Sequence, residues 1–318
     1  MHEFELINKY FSKLSISNKG SLGLNDDVFF DKSKKLVISI DTYVEGVHFI
    51  NFQNPDLVIK KIIRSSISDL ICKGVRPKYY FISGSGNKKS FTKKNLEMIS
   101  KALHQEQKKY SIYLCGGDTT FSKKLSFTIT SVGFSDKIIF RNRAKLNDDI
   151  YVTGNLGDSF IGLNVLQKKI YLNQNLSRYF KDKYFHPNLQ ITIVKKLLSF
   201  ANTSIDISDG LIADLEKLIN KQKLSYKIYL SDIPISKNLD KLIKSNIIKK
   251  ISSLTRGDDY QILFTASSKK SRIISRMSKS LGIKISKIGK ICSHSQKSQI
   301  IDEKNEIIPL KNKGYFHR

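Results

Sequence analysis

The chain has 318 residues, a hydrophobic content of 40% and a formal net charge of +27. This length suits two domains of ordinary size, and no stretch approaches the roughly 20 uninterrupted apolar residues of a membrane span. The charge alone would favour a nucleic-acid-binding protein. However, only nine of the 55 basic residues are arginine, the side chain that recognises bases and phosphates bidentately. A compositional bias toward Lys, Asn and Ile explains the charge better, so we expect neither nucleic acid nor a membrane as a partner.

The N-terminal segment and the cysteines both favour a cytoplasmic protein. Residues 1–14 contain two glutamates and lack the basic start and long apolar run of a secretory signal. Their apolar residues have helical spacing instead. Cys72, Cys115 and Cys292 are far apart and form no CxxC pair. Their spacing argues against a zinc site or a disulfide framework and fits a reducing compartment.

Short apolar, β-branched runs alternate with helical patterns along the chain, which predicts an α/β protein. Eight runs are predicted strands: 36–40, 78–83, 111–115, 125–134, 149–154, 203–207, 226–230 and 261–265. Helical spacing occurs at 57–70, 96–103, 159–166, 189–200, 211–219 and 272–281. The strand at 125–134 alternates apolar and polar residues, as in an antiparallel sheet with one solvated face. The polar segment RNRAKLNDD, near 140–148, predicts a boundary between domains at 1–143 and 144–318.

The segment IDISDGLIADL, at 205–215, gathers three aspartates within nine positions of a basic chain. A helix is predicted to begin just after Asp209, so Asp209 or Ser208 could simply cap it, with Asp214 on the exposed face. Asp206 has no such role, because it lies between two isoleucines at the end of an apolar strand. A structural role therefore explains part of this segment and leaves Asp206 unexplained.

Several more aspartates lie at turns or at the ends of predicted elements. They are Asp26 and Asp27 in GLNDDVFF, Asp41 in VISIDTYV, Asp69 in SSISDL and Asp118 in CGGDTT. Ligands bind at strand ends in α/β folds, and converging carboxylates need counter-cations, which Lys or Arg could supply. Oxygen-only clusters without His or Cys are also the usual surroundings of Mg²⁺, which shares its coordination with substrate phosphates. The sequence therefore predicts a site in which aspartates hold metal and the metal holds phosphate.

Ten segments, in order, resemble the thiamine-monophosphate kinases, a family of the aminoimidazole-ribonucleotide-synthetase-like ATP-binding superfamily. The segments are EFELINKYF, GLNDD, SIDTYVEGVHF, SISDLICKGVRP, CGGDTT, FRNRAKLNDDIYVTGNLGDSFIGL, IDISDGLIADL, RGDDYQILFT, ISKIGKI and KGYFHR. The resemblance implies ATP-dependent phosphorylation of thiamine monophosphate to thiamine diphosphate with several Mg²⁺ ions. It also implies a two-domain α/β (α+β) synthetase-like fold. In that fold the mixed or antiparallel N-terminal sheet pairs in a homodimer, and the C-terminal α/β domain completes the site.

The resemblance also assigns residues to roles. The implied metal positions are Asp27, Ser39, Ile40 (through its main chain), Asp41, Asp69, Asp118, Asp206 and Asp209. The implied nucleotide contacts are Gly117, Asp118, Arg141 and Ser208. The implied substrate contacts are His48, Asp258 and an aromatic residue of the tail, Tyr315 or Phe316. No general base is expected, because the attacking phosphate oxygen has a second pKa of about 6 and is largely ionised at neutral pH.

The sequence departs from the family pattern in three places. Asn25 stands where the family usually has Gly, and Ile40 replaces a usual Thr, which matters little if only its carbonyl binds. More seriously, RGDD at 256–259 stands where the family usually has GGED. Arg256 adds a charge beside the thiamine-facing loop, and Asp258 is one methylene shorter than Glu, so its substrate contact could become water-mediated. This departure leaves open a degenerate, non-catalytic homologue of the family.

Two further classes of protein compete with a thiamine-monophosphate kinase: relatives from the same superfamily, and a basic nucleic-acid-binding protein. A selenophosphate-synthetase-like enzyme needs a reactive cysteine near the N-terminus, and no cysteine precedes Cys72. A hydrogenase-maturation relative ends in a cysteine tail, whereas this chain ends in KGYFHR. Nucleic-acid binding predicts an affinity that falls steeply with salt, which a gel shift at two salt concentrations would test.

Overall fold

A computed structural model describes residues 3–253, 255–309 and 314, and it contains two mixed sheets. The N-terminal sheet has the strand order β1-β2-β5-β3-β4. Its strands are β1 (Phe29–Asp31), β2 (Leu36–Val44), β3 (Pro77–Gly86), β4 (Tyr113–Phe121) and β5 (Ser126–Phe134). Only the β3–β4 pair is parallel. The predicted strand at 125–134 is confirmed as antiparallel to both of its neighbours.

The C-terminal sheet has the strand order β11-β8-β10-β6-β9-β7. Its strands are β6 (Asp149–Thr153), β7 (Thr203–Asp206), β8 (Leu224–Tyr229), β9 (Ile262–Ala266), β10 (Ile285–Ser293) and β11 (Gln299–Ile301). The pairs are antiparallel except for β8–β11. The predicted two-sheet α/β fold is therefore confirmed. The segment 135–148 connects the sheets, and the boundary at 143/144 stays a prediction.

The described helices lie mainly between the strands of each half. They are α1 (Glu3–Leu6), α2 (Pro55–Cys72), α3 (Lys93–Tyr110), α4 (Asp158–Leu166), α5 (Gln174–Phe185), α6 (Val194–Leu197), α7 (Leu211–Leu218), α8 (Lys237–Lys244) and α9 (Ser271–Leu281). The helix predicted at 189–200 is wrong in extent, because only a 3₁₀ turn at Ile191–Ile193 and the short α6 form there. No helix within the described residues is both long enough and apolar enough to cross a membrane.

Helix α2 positions the site, because it is buried between the N-terminal sheet and the C-terminal half. It packs on β2 and β5 on one side and on β7 and α5 on the other. Pro55 begins the helix, where its missing N–H costs nothing. Burial on both sides takes polar side chains into the interior, including Lys61, Arg64 and Ser68. Buried polar groups require hydrogen-bond partners, and those of α2 find many of theirs across the junction between the two halves.

Candidate active site

A cleft of about 910 Å³ lies between the two halves and is lined mainly by charged and polar side chains. Ten of the residues predicted for the site line it: Asp27, Ile40, Asp41, His48, Asp69, Arg141, Asp206, Ser208, Asp209 and Asp258. Ser39 reaches it indirectly, by donating a hydrogen bond from its hydroxyl to Asp69 Oδ2. Segments separated by more than 200 residues in the sequence thus contribute to one cleft.

Among the described residues, only hydroxyl groups act as side-chain hydrogen-bond donors to three of the carboxylates: Asp41 on β2, Asp69 on α2 and Asp206 at the end of β7. The donors are Tyr43 to Asp41, Ser39 to Asp69 and Ser68 to Asp206. Within the described residues, none of the three carboxylates forms an ion pair with a basic side chain. Burial, followed by nearby aspartate charges, raises the pKa of Asp41 to about 7 and that of Asp206 to about 8. The same causes raise the pKa of Asp69 well above its ordinary value. This part of the cleft therefore lacks positive charge.

The Asp26–Asp27 turn, by contrast, is paired with cations. Lys73 Nζ lies 2.7 Å from Asp26 Oδ1 and 2.7 Å from Asp27 Oδ2. Arg141 NH1 lies 3.0 Å from Asp27 Oδ1. Burial would raise the pKa of Asp27, but the charges of Lys73 and Arg141 outweigh it and lower that pKa. Asp27 therefore stays ionised with partners that the protein itself supplies.

Asp214 holds the loop that begins α7. Its Oδ2 accepts hydrogen bonds from the main-chain N–H groups of Ser208, Asp209 and Gly210, at 3.0, 2.9 and 3.1 Å. The interpretation that places Asp214 on the exposed face and gives the capping role to Asp209 or Ser208 is wrong, since Asp214 is fully buried. Burial raises the pKa of Asp214 to about 6, against the opposing charge of Lys217. Because Asp214 accepts these N–H groups, Asp209 does not cap the helix. Its carboxylate faces the cleft and forms an ion pair with Lys217.

The RGDD segment packs directly on this loop. The Asp258 N–H donates to Ser208 O at 2.9 Å, and the Tyr260 N–H donates to Ile207 O at 2.8 Å. A Cβ on Gly257 would lie 1.7 Å from Ser208 O, so only glycine permits this approach. The sequence alone gives no sign of this contact, because 49 residues separate positions 208 and 257.

Sequence reasoning missed Lys61, Lys73 and Lys217, which supply positive charge beside the predicted acids. Lys61 Nζ lies 2.7 Å from Asp258 Oδ1. A lysine in a chain with so many lysines gives no sequence signal by itself. The spacing of Lys217 from Asp214 is the partial exception, because an i, i+3 pair on a predicted helix brings opposite charges together.

His48 lines the cleft at the end of the β2 segment and is held by the main chain. Its Nδ1 accepts a hydrogen bond from the Val44 N–H at 3.0 Å, and its ring packs edge-on against Tyr43. In the neutral imidazole this bond leaves the proton on Nε2. The histidine is therefore both packed beside the strand and exposed to the cleft.

Gly117 and Asp118 do not join the other predicted residues in the same chain. They lie on β4, an edge strand that is exposed along its whole length. Asp41 on β2 and Gly117 on β4 lie in the same row across the sheet, with β5 and β3 between them. Three strand spacings separate them, or roughly 14 Å at the usual distance between strands. By strand alternation, Asp118 shares the sheet face of Thr42, opposite to that of Asp41. Tyr315 and Phe316 lie outside the described residues.

The acids line the cleft without closing around a single point. Within the described part of the chain, no three His, Cys, Asp or Glu side chains converge tightly enough to hold an ion. Mg²⁺ does not need such a cage, because it usually takes one or two carboxylates and completes its shell with water and substrate phosphates. The oxygen-only donors and the missing positive charge beside Asp41, Asp69 and Asp206 therefore fit a site for Mg²⁺ with a phosphate ligand.

Comparison with known proteins agrees with this fold. Residues 24–135 match the family described as AIR synthase related protein, N-terminal domain. This range includes the whole N-terminal sheet and α2. The thiamine-monophosphate kinase of Buchnera aphidicola subsp. Schizaphis graminum is 35% identical over 323 residues, which cover 99% of this chain and 98% of the relative. That of Escherichia coli K12 is 30% identical over 322 residues, with the same coverage. The chain belongs to the thiamine-monophosphate kinase family.

A solved structure described as AaThiL complexed with AMPPCP and TMP has the same fold. Its TM-score to this chain is 0.86, with 26% sequence identity and coverage of 100% of this chain and 97% of that one. The likeness extends over both sheets.

Proposed function

We propose that this protein transfers the γ-phosphoryl group of ATP to thiamine monophosphate and so produces thiamine diphosphate. Membership of the thiamine-monophosphate kinase family supports this activity. The observation that carries the proposal is the cleft itself, which is lined by Asp41, Asp69 and Asp206. Asp206 is buried and the other two are half-buried, and none of the three has a cationic partner among the described residues. Such a site suits the transfer of a group between two polyanions, which depends chiefly on positioning and neutralising charge.

Different side chains of the cleft suit the two substrates. Arg141 and Lys217 present fixed positive charge on the side of the Asp27 turn and α7, which suits ATP phosphates. Asp258 and His48 also line the cleft, and a carboxylate oxygen and an imidazole N–H suit the polar groups of a thiamine ring system. The acceptor phosphate is its own nucleophile, so the protein has to hold two anions in line and exclude competing water.

Asp41, Asp69 and Asp206 would hold Mg²⁺ together with phosphate oxygens, and the Ile40 carbonyl and Ser39 hydroxyl are the nearest additional donors on β2. When bound, the metal would neutralise charge on the transferring group and act as a Lewis acid. The hydroxyl donors of Ser39 and Ser68 orient two of the carboxylates toward the cleft. No residue of the chain is assigned the role of a general base.

We also propose a homodimer formed through the N-terminal sheet. Apolar side chains remain exposed on one face of this sheet, among them Ile40 and Phe81, and the edge strand β4 presents unpaired main-chain groups. A second copy covering this sheet would bury them. Gly117, next to Asp118, lies roughly 14 Å from Asp41 across the sheet, so a nucleotide extended across the sheet or a partner protomer has to bridge that gap. The three cysteines are unpaired, which supports a reducing, cytoplasmic location.

The activity is tested by incubating the purified protein with Mg²⁺, ATP and thiamine monophosphate and separating the products by chromatography. Thiamine diphosphate and ADP are expected in equal amounts. A reaction without the acceptor controls for simple ATP hydrolysis. ADP formed without thiamine diphosphate would point instead to another ATP-using member of the superfamily, and no turnover at all would support a degenerate homologue.

A further inference from the structure

Lys73 follows the last residue of α2 and is fully buried, and its ammonium group donates one hydrogen bond and forms two ion pairs. Nζ lies 2.7 Å from Asp26 Oδ1, 2.7 Å from Asp27 Oδ2 and 2.8 Å from the Ser204 main-chain oxygen. An ammonium group has three donors and no acceptor. The hydrogen bond to Ser204 and the two ion pairs therefore hold the positive charge at one place between the two halves of the protein.

The charges of the Asp26–Asp27 turn are balanced within the fold. Arg141 supplies the second cation, with NH1 at 3.0 Å from Asp27 Oδ1, and its main-chain N–H donates to Asp26 Oδ2 at 2.9 Å. Two carboxylates thus meet one ammonium and one guanidinium group. Asp69 and Asp206 face the same cleft without an ion pair among the described residues. The cleft therefore has one region that the protein neutralises and one that it does not.

We infer that Lys73 is a positioning residue whose ammonium group occupies a place where a divalent cation would otherwise neutralise the Asp26–Asp27 turn. The inference rests on the proposed function only in that the cleft binds Mg²⁺. Asp27 then acts mainly by holding Lys73 and Arg141, and Mg²⁺ binds chiefly beside the carboxylates that lack a cationic partner. The physical reason is that like charges a few ångströms apart in a protein interior repel strongly, so Lys73 disfavours an ion on Asp27.

The test measures Mg²⁺ binding by calorimetric titration, and thermal unfolding with and without Mg²⁺, in the absence of ATP and thiamine monophosphate. K73M removes the charge and keeps an unbranched apolar side chain. We expect this variant to unfold at a lower temperature without Mg²⁺, to recover as Mg²⁺ is added, and to bind Mg²⁺ about tenfold more tightly or at one further site, because an unpaired carboxylate then faces the cleft. Its activity should fall at low Mg²⁺ and recover at high Mg²⁺.

Two further variants show whether the effects of K73M come from the lost charge or from altered packing. K73M/D26N restores the charge balance, so it should be more stable than K73M and bind Mg²⁺ as the unmodified protein does. K35M removes the lysine of an exposed ion pair with Asp136 and should change neither property.

The inference is overturned if K73M binds Mg²⁺ like the unmodified protein, or if K73M/D26N is as unstable as K73M, because Lys73 would then matter for packing alone. If K73M does not fold, the stability of K73M/D26N decides: a folded double variant supports the inference, and a double variant that also fails to fold overturns it. The binding and unfolding measurements contain no thiamine monophosphate. If the unmodified protein failed to make thiamine diphosphate, the proposed function would be refuted, and the inference about Lys73 would be unaffected.

Discussion

Lys61 Nζ lies 2.7 Å from Asp258 Oδ1 and so joins α2 in the N-terminal half to the loop before β9 in the C-terminal half. The ammonium group also stands 4.0 Å from the centre of the Tyr184 ring. The Tyr260 hydroxyl donates to the same Asp258 oxygen at 3.0 Å. Burial lowers the pKa of Lys61, and the charge of Asp258 opposes that change. One oxygen of Asp258 is therefore held by two donors, which fixes the orientation of the carboxylate.

Replacing this lysine should weaken recognition of the acceptor more than recognition of ATP. In K61M, Asp258 loses its ionic partner and can rotate, so we expect the KM for thiamine monophosphate to rise about tenfold, the typical scale for loss of one charge-assisted contact. The KM for ATP should change little. Steady-state kinetics with each substrate varied in turn measures both values. K60M is the matched control, because Lys60 neighbours Lys61 but is only half-buried and is not the ion-pair partner of Asp258. Equal effects on both substrates would contradict the positioning role of Lys61.

Removing a carboxylate that lacks a cationic partner should separate activity from stability. D206N and D69N each remove a charge that the proposed Mg²⁺–phosphate site requires, so we expect turnover to fall by about 10²- to 10³-fold. Without Mg²⁺, each variant should unfold at a temperature at least as high as the unmodified protein, because repulsion between buried carboxylates is relieved. Activity assays and thermal unfolding measure the two effects. D136N, in an exposed ion pair, should change neither. Full activity in D206N and D69N would exclude these carboxylates from the reaction.

The metal-free protein should become less stable as the pH rises. Asp41 and Asp206 have a folded-state pKa of about 7 and about 8, above the ordinary value of 3.8. Between about pH 4 and pH 8 the folded state therefore keeps protons that the unfolded state has released, and stability falls through this window. Mg²⁺ should raise the unfolding temperature more at pH 8 than at pH 5, because it binds the ionised carboxylates. Thermal unfolding at both pH values, with and without Mg²⁺, measures this.

The D206N variant provides the control for that experiment, because it removes the group with the pKa of about 8. Its stability should depend less steeply on pH in the upper part of the window. An equal slope in both proteins would mean that other groups cause the pH dependence.

Adding a methyl group at Gly257 should displace the loop that carries Asp258. The new Cβ would lie 1.7 Å from Ser208 O, so the two loops have to separate. We expect G257A to lose about tenfold to 100-fold in activity, since even a 1 Å displacement of binding groups can cost that much. G282A is the control: Gly282 has a φ of +64° and open space around it, so alanine there should cost about 1 kcal/mol in stability and leave activity unchanged. Activity assays and denaturant unfolding of both variants test this.

The local features of the protein could be predicted from its sequence. Each of the eight predicted strands corresponds to a strand of the structure, because β-branched runs of this kind are a local property of the chain. Helix α2 was also predictable, since its apolar spacing continues over several turns. The strands β1, β10 and β11 and the helices α5 and α8 were missed, because short or polar elements depend on their neighbours more than on their own pattern.

The identity of the acids in the cleft could also be predicted, because aspartates at strand ends and the family motifs are visible in the sequence. Their counter-charges could not. Lys73 reaches Asp26 and Asp27 from 46 or more positions away in the sequence, and Lys61 reaches Asp258 from 197 positions away. Such pairs depend on how α2 packs between the two sheets, which only long-range burial determines. The sequence therefore determined which residues can bind metal and phosphate, and the tertiary structure decided which of these acids the protein already neutralises.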